Sequence, residues 1–100
     1  MLDTVLVAIA DPSRRVLVQR LAQGPATAGQ LADLLPMSRP AVSQHLSSLR
    51  QAGLIRTTQV GRHHWQELDP DPLVHIGDWI DAITARHRKA PVLVLEEDSP

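Results

Sequence analysis

The sequence has no cysteine, phenylalanine or tyrosine among its 100 residues, and the first of these absences excludes the most chemistry. Without cysteine there is no disulfide, no thiolate metal site and no cysteine nucleophile. No apolar run approaches the roughly 20 residues that cross a bilayer, and Met-Leu-Asp-Thr at the start lacks the basic region and cleavage site of a signal peptide. These absences predict a cytoplasmic protein with no membrane partner.

Negative charge is nearly absent from the middle of the chain. Residues 12–66 contain seven arginines, no lysine and a single acid, Asp33, which gives this segment a charge of +6. The remainder contains three basic residues and ten acids, for −7, so the net charge of −1 hides two regions of opposite sign. A basic centre between acidic ends indicates that only the centre meets a polyanion such as nucleic acid.

Apolar periodicity and capping residues predict three helices in the first third of the chain. Leu, Val and Ile recur at helical spacing in residues 2–10. An Asp-Pro pair then begins a second helix over residues 11–22. Thr27 and Gln30 have the spacing of a capping box, which predicts the start of a third, short helix.

The middle of the chain predicts a helix-turn-helix followed by a β-hairpin. Residues 27–52 contain the third helix and a fourth one, joined by a turn of about three residues. The fourth helix covers residues 38–52. Residues 54–68 are rich in β-branched side chains and reverse at Gly61, which predicts a two-stranded wing. A last helix over 72–88 completes a mainly α, winged helix-turn-helix fold.

The exposed face of the helix 38–52 is suited to base edges. At about 100° per residue, its apolar side chains fall on one line and its small polar side chains fall opposite. That outer face contains no acid, and Gln44 on it could pair with adenine through two hydrogen bonds. Arg39 and Arg50 flank the face at positions suited to phosphates. The alternative is a polar face that only meets solvent.

Three stretches resemble the ArsR family of bacterial winged-helix repressors: Asp11-Pro12-Ser13-Arg14-Arg15, the run from Ser38 to Ile55, and Gly61-Arg62 followed by Leu68-Asp69-Pro70. The resemblance spans about residues 2–88. It implies a homodimer whose recognition helices enter successive major grooves of an imperfect palindrome in double-stranded DNA, and repression by occlusion of a promoter. Carried over by position, the DNA-binding residues are Ser38, Arg39, Pro40, Ser43, Gln44, Ser47, Arg50 and, at the wing, Arg62.

Two features depart from the family pattern. Pro36 stands in the turn where relatives often have glycine, which predicts a different type of turn because proline fixes φ near −65°. The second wing strand has Trp65 where tyrosines are usual. Trp65 and Leu68 have opposite parity, so both cannot face inward on one regular strand. Either one of them lies beyond the ladder or the strand bulges.

Many members of this family sense metals, but the ligand patterns do not match here. The family's thiolate site needs cysteines, and residues 30–34 have none. The Asp-x-His pattern of the last helix is also missing, so we predict no metal and no cofactor. Asp71, His75 and Asp78 nevertheless share one side of the helix, and His87 of a second copy could join them, which leaves a zinc or nickel site as an alternative.

The first and last helices carry apolar faces that predict a dimer contact. Spacings of three and four residues along the last helix are those of a seam between paired helices, although the same face could cover the domain's own core. The predicted interface residues are Leu2, Val5, Leu6, Ile9, Leu73, Ile76, Trp79, Ile80 and Ile83. We therefore expect a DNA-binding and dimerisation domain over residues 1–90 and a C-terminal tail over 91–100.

Other functions fit the sequence less well. It has no glycine-rich phosphate loop and no acid pair placed by a motif, so we predict that it is not an enzyme. A winged-helix module that binds proteins would have acids or large apolar residues on the outer face of residues 40–51, and neither is present. A repressor that responds to a metal or a small molecule remains an alternative within the same fold.

Overall fold

The structure is a computed structural model, and it describes residues 2–89. This part of the chain contains five helices and three strands. The helices are α1 (Leu2–Ala10), α2 (Pro12–Leu21), α3 (Ala28–Ala32), α4 (Arg39–Gln51) and α5 (Asp71–Lys89). The strands are β1 (Ala26–Thr27), β2 (Ile55–Val60) and β3 (His63–Leu68). The predicted tail, residues 91–100, lies outside the described residues.

Three of the helices begin at the side chains that the sequence indicates. Asp11, Thr27 and Ser38 each accept a hydrogen bond from the backbone N–H three residues on, at 3.0, 3.1 and 3.2 Å. The side chain of Gln30 accepts from the Thr27 N–H at 3.0 Å, which completes the capping box. Because the first N–H groups of a helix have no partner within it, these side chains fix where α2, α3 and α4 start.

The turn between α3 and α4 is longer than expected. We predicted about three residues, whereas six residues, 33–38, separate the two helices. After Ala32 the N–H groups of Leu34 and Leu35 bond to carbonyls three residues back, so the chain leaves the helix in a tighter turn. No residue in this connection has a positive φ, and Pro36 is therefore accommodated without the glycine of relatives.

The end of α4 aims the chain directly into the wing. Gly53 has φ 78°, and its N–H bonds to the Arg50 carbonyl at 3.0 Å. The N–H of Leu54 bonds to the Leu49 carbonyl, also at 3.0 Å. This pair of bonds is a Schellman motif, which stops the helix and positions the next residue in the core. Leu54 is fully buried as a result.

The wing is a three-stranded antiparallel sheet, so the prediction of two strands is incomplete. Strands β2 and β3 form the expected hairpin around Gly61-Arg62, with Gly61 at φ 61°. Strand β1 pairs with the other edge of β3, which gives the order β1-β3-β2. A strand of two residues is too short to show a hydrophobic period, so the sequence pattern contains no signal for it.

Strand β3 is regular throughout, and neither expectation about Trp65 and Leu68 is correct. Leu68 pairs with Ile55 at the inner face, and Trp65 pairs with Thr58 on the outer face. The inner position next to Trp65 belongs to Gln66, which is 2% exposed. A polar residue therefore fills the place where an apolar one was expected.

The core lies between the helices and the inner face of the sheet. Leu17, Leu31, Leu49 and Leu54 are fully buried at its centre. Helix α5 packs on α1, and Leu73 and Ile76 from its first half reach the core. Within residues 2–89, no helix combines the length and the apolar character needed to cross a membrane.

Candidate nucleic-acid interface

Helix α4 presents the predicted polar face to solvent. Val42, Leu46 and Leu49 are at most 2% exposed, and they anchor the opposite side of the helix in the core. Of the eight residues predicted to contact DNA, Ser47 is half-buried and the others are exposed: Ser38, Arg39, Pro40, Ser43, Gln44, Arg50 and Arg62. The structure thus brings seven exposed side chains to α4 and the wing tip without an acid on α4.

Ser38 has a second task beside the proposed one. Its hydroxyl oxygen accepts the N–H of Ala41 at 3.2 Å and caps the helix. The hydroxyl proton is left to donate to another group, such as a phosphate oxygen. Capping and DNA contact are therefore compatible at this residue.

A groove joins α4 to the wing tip. Arg39 from the start of α4 and Arg62 from the hairpin turn line it together, so the two arginines belong to one surface. Its other lining residues are Thr27, Ala28, Gly29, Gln30, His63 and His64. None of these is acidic, and the groove therefore offers positive charge and hydrogen-bond donors to a polyanion.

The start of α3 and the two histidines of β3 are further candidates, which are absent from the residues predicted to contact DNA. His63 and His64 are adjacent in β3, and adjacent residues of a regular strand point to opposite faces. At the end of the hairpin both line the groove beside Arg62. Their position next to the Gly61-Arg62 turn was the available signal.

Arg50 is held at the other end of the face. Its Nε donates to Thr57 Oγ1 on β2 at 3.0 Å. The Thr57 hydroxyl in turn donates to Gln66 Oε1 on β3 at 2.7 Å. The last turn of α4 is thereby connected to the sheet through side chains.

Three arginines of the basic segment serve the fold instead of this face. The Arg14 guanidinium donates to the Ala8 carbonyl at 2.6 Å and lies 3.3 Å from His45 Nδ1. Arg15 donates to the last carbonyls of α1, and Arg20 donates to the Gly24 carbonyl. The charge of +6 on residues 12–66 therefore overstates the cations available to a polyanion, because backbone carbonyls take up three of the seven arginines.

Arg56 is also partly occupied. On the outer face of the wing it pairs with Glu67 at 3.6 Å, and both side chains are more than half exposed. An exposed pair of this kind contributes little to stability, but it balances the charge of Arg56 locally. Arg39, Arg50 and Arg62 are therefore the arginines best placed to contact DNA.

Asp11, which caps α2, has a perturbed acidity. The N–H of Arg14 donates to its carboxylate at 3.0 Å. This backbone hydrogen bond lowers the pKa of Asp11, and the nearby His45 and Arg14 lower it further. The carboxylate therefore stays charged to a lower pH than an isolated aspartate would.

The apolar faces of α1 and α5 divide into a buried and an exposed part. Val5 and Ile76 are 1% and 6% exposed, and they already belong to the core of the single chain. Trp79, Ile80 and Ile83 on the second half of α5 are 47%, 44% and 49% exposed. The rest of the predicted interface is half-buried: Leu2, Leu6, Ile9 and Leu73.

The proposed metal ligands on α5 do not gather. Among the described residues no three His, Asp or Glu side chains lie together as a metal site would require. His75 lines a small apolar hollow with Leu2, Val5 and Pro72. A site completed by a second chain would need ligands from both copies.

Comparison with known proteins identifies relatives along most of the chain. A family model described as "Bacterial regulatory protein, arsR family" matches residues 11–57. The HTH-type transcriptional regulator Rv2034 of Mycobacterium tuberculosis is 43% identical over 84 residues, which are 84% of this chain and 78% of the relative. The transcriptional repressor SdpR of Bacillus subtilis is 33% identical over 79 residues, which are 79% of this chain and 88% of the relative.

Solved structures share the same architecture. A crystal structure described as an ArsR family transcriptional regulator superposes with a TM-score of 0.81 at 31% identity. The superposition covers 88% of this chain and 91% of that one. An ArsR-like transcriptional regulator from Rhodococcus sp. RHA1 superposes with a TM-score of 0.77 at 26% identity, over 98% of this chain and 92% of that one.

Proposed function

Because the chain belongs to the ArsR family of bacterial regulatory proteins, whose members here are transcription regulators and not enzymes, we propose that it is a homodimeric repressor that binds an imperfect DNA palindrome. The observation that carries the proposal is the exposed, acid-free face of α4, framed by Arg39, Arg50 and the wing tip with Arg62. We infer a cytoplasmic location, because that is where the DNA of a bacterial cell lies.

The side chains on this surface divide into two roles. Gln44 projects from the exposed face of α4 and has the donor and acceptor pair that recognises adenine in the major groove. Ser43 and Ser47 supply shorter hydrogen-bonding groups beside it. Arg39, Arg50 and Arg62 contact phosphates and set the register of the protein on the DNA. Ser38 and Pro40 lie at the N-terminus of α4, close to the DNA backbone.

The second copy of the chain is recruited through the exposed half of α5. Trp79, Ile80 and Ile83 form an apolar strip that continues the half-buried faces of α1 and α5. Exposing three large apolar side chains this close together to water is unfavourable in free energy. A symmetric partner would cover them with the same strip. Val5 and Ile76 support the strip from within the core.

Repression follows from position on the DNA. A dimer that occupies two successive major grooves at a promoter blocks access of the transcription machinery without any further activity. The relatives named as repressors, SdpR of Bacillus subtilis and the arsenical resistance operon repressor of Staphylococcus xylosus, favour this direction of control.

The test is selection of bound duplexes from a random pool by the purified protein, with a chelator, with added zinc and with added nickel. We expect a palindrome under every condition. A palindrome recovered with one metal only would instead indicate a metal-responsive repressor with ligands on α5. Failure to enrich any motif would contradict the proposal and favour a protein-binding module.

The dimer is tested separately by changing the apolar strip. Ile80→Asp should shift the protein from dimer to monomer in sedimentation experiments and abolish binding to the palindrome. Val74→Asp is the matched control, because Val74 lies on the opposite side of α5 and is 55% exposed. Equal behaviour of the two variants would contradict dimerisation through this strip.

A further inference from the structure

A polar side chain occupies the centre of the wing sheet, where burial is costly. Gln66 is 2% exposed and lies on the inner face of β3, opposite Ala26 of β1 and Thr57 of β2. A buried amide without hydrogen bonds destabilises a fold, so both ends of this side chain need partners. The partners it has connect it to the surface of α4.

The hydrogen bonds run in one direction from α4 into the sheet. A guanidinium only donates, so Thr57 Oγ1 accepts from Arg50 Nε at 3.0 Å. The single hydroxyl proton of Thr57 then goes to Gln66 Oε1 at 2.7 Å. This leaves the Gln66 amide nitrogen to donate to the His64 carbonyl at 3.4 Å. Each group has one orientation that satisfies its neighbours.

This series of bonds decides how Arg50 is presented. Only its Nε–H is used, so the two terminal amino groups remain for a ligand, and the side chain as a whole is exposed. Terminal amino groups held in a plane suit the oxygens of a phosphate. An arginine that is already oriented loses less side-chain freedom on binding than a mobile one.

We propose that Thr57 and Gln66 are positioning residues for DNA binding, which hold Arg50 in its phosphate-contacting orientation and tie the wing to the last turn of α4. The proposal rests on the proposed function, since it assigns a purpose to the residues that hydrogen-bond to Arg50 directly and through one intermediate. Neither side chain has a free donor for a phosphate: Gln66 is buried, and the hydroxyl proton of the exposed Thr57 is already donated to Gln66 Oε1.

The first measurement is the affinity of four proteins for the selected palindrome at fixed salt: wild type, Thr57→Val, Thr57→Ser and Thr58→Val. Thr57→Val keeps the shape but loses the hydroxyl, and we expect about 3- to 10-fold weaker binding per protomer, about 10- to 100-fold for a dimer. Thr57→Ser keeps the hydroxyl and should bind like wild type. Thr58→Val is the matched control, because Thr58 lies next along β2 on the outer face.

The second measurement asks whether Thr57 acts through Arg50. In an Arg50→Met background, Thr57→Val should cause no further loss of affinity, because the side chain that it orients is gone. Thermal unfolding of each variant separates this effect from a general loss of structure. Additive losses in the double variant would overturn the proposal, and so would a Thr57→Val protein that binds as tightly as wild type.

The two proposals fail in different ways. If wild type binds a palindrome and Arg50→Met weakens it while Thr57→Val does not, the positioning role is wrong and the repressor function stands. If wild type enriches no duplex, the repressor function fails and the positioning role fails with it.

Discussion

Arginines at the α1–α2 corner and arginines at the α4–wing surface come from the same basic segment but meet different partners. At the corner, Arg14 and Arg15 donate to the last carbonyls of α1. At the surface, Arg39 and Arg62 line an open groove without an acid. The formal charge of a segment therefore overstates the positive charge that a ligand can contact, because helix ends use some cations as hydrogen-bond donors.

We expect the greatest loss of stability from a substitution at the α1–α2 corner. Arg14→Met removes the hydrogen bonds to the carbonyls of α1 and the contact with His45, and should lower the free energy of unfolding by about 2–3 kcal/mol. The melting temperature should fall by about 10 °C. Urea or thermal unfolding measures both.

Arg39→Met is the control, since it makes the same chemical change on the groove side. It should leave stability within about 0.5 kcal/mol of wild type, as is usual for exposed positions. Equal losses of stability for the two variants would break the division between structural and available arginines.

The next effect is on the sequence specificity of DNA binding. It concerns Gln44, which precedes the Arg14 contact residue His45 on α4. His45 is half-buried against Arg14, whereas Gln44 faces solvent. Gln44→Ala should lose about 1–3 kcal/mol of binding to the palindrome and much less on random DNA, if the side chain pairs with a base. Competition binding with the two duplexes measures the difference, and equal losses on both would make Gln44 a backbone contact.

Local signals allowed much of the fold to be predicted from the sequence. Asp11, Thr27 and Ser38 were identified as helix starts because N-capping depends on residues only three apart. The reversal at Gly61 was predicted because glycine adopts a positive φ without strain, and Gly61 has φ 61° in the structure. The polar face of α4 was predicted from the helical period of its side chains, which is also a local property of the sequence.

The missing parts depend on contacts distant in sequence. Strand β1 exists because Ala26 and Thr27 meet β3, about forty residues later. The use of Arg14 at α1 depends on the angle between two helices, which no spacing encodes. Gln66 looks like an outward strand residue until Thr57 and Arg50 supply its partners. The groove at the wing tip likewise requires the sheet to be placed against α3.

A smaller effect compares two arginines within the wing. Arg62 lines the groove, whereas Arg56 is paired with Glu67 on the other face. If Arg39, Arg50 and Arg62 of both protomers contact phosphates, the log–log dependence of binding on salt should have a slope of about −5. Arg62→Met should make that slope shallower by about 2, because each dimer loses two contacts.

Arg56→Met should leave the slope closer to that of wild type, because Glu67 already balances part of its charge. Binding titrations over a range of salt concentrations give the slopes. Identical changes for the two variants would mean that the positive field of the whole wing matters, and not the placement of Arg62.

The smallest effect lies at Asp11 on the corner side, and it appears only in acid. The backbone N–H of Arg14 lowers the pKa of Asp11 in the folded protein below its ordinary value of 3.8. The charged carboxylate therefore stabilises the fold fully above about pH 5, and this contribution is lost as the pH falls through the lowered pKa. Asp11→Asn keeps a capping oxygen but cannot titrate.

Between pH 5 and pH 3, wild type should consequently lose more stability than Asp11→Asn, and urea unfolding at several pH values measures the difference. Asp11→Ala separates the cap from the charge, because it lacks the accepting oxygen and should be less stable than wild type already at neutral pH. Parallel stability curves for wild type and Asp11→Asn would show that the corner is held by hydrogen-bond geometry alone. DNA affinity at neutral pH should be the same in Asp11→Asn and wild type, because the charge at residue 11 belongs to the corner and not to the recognition surface.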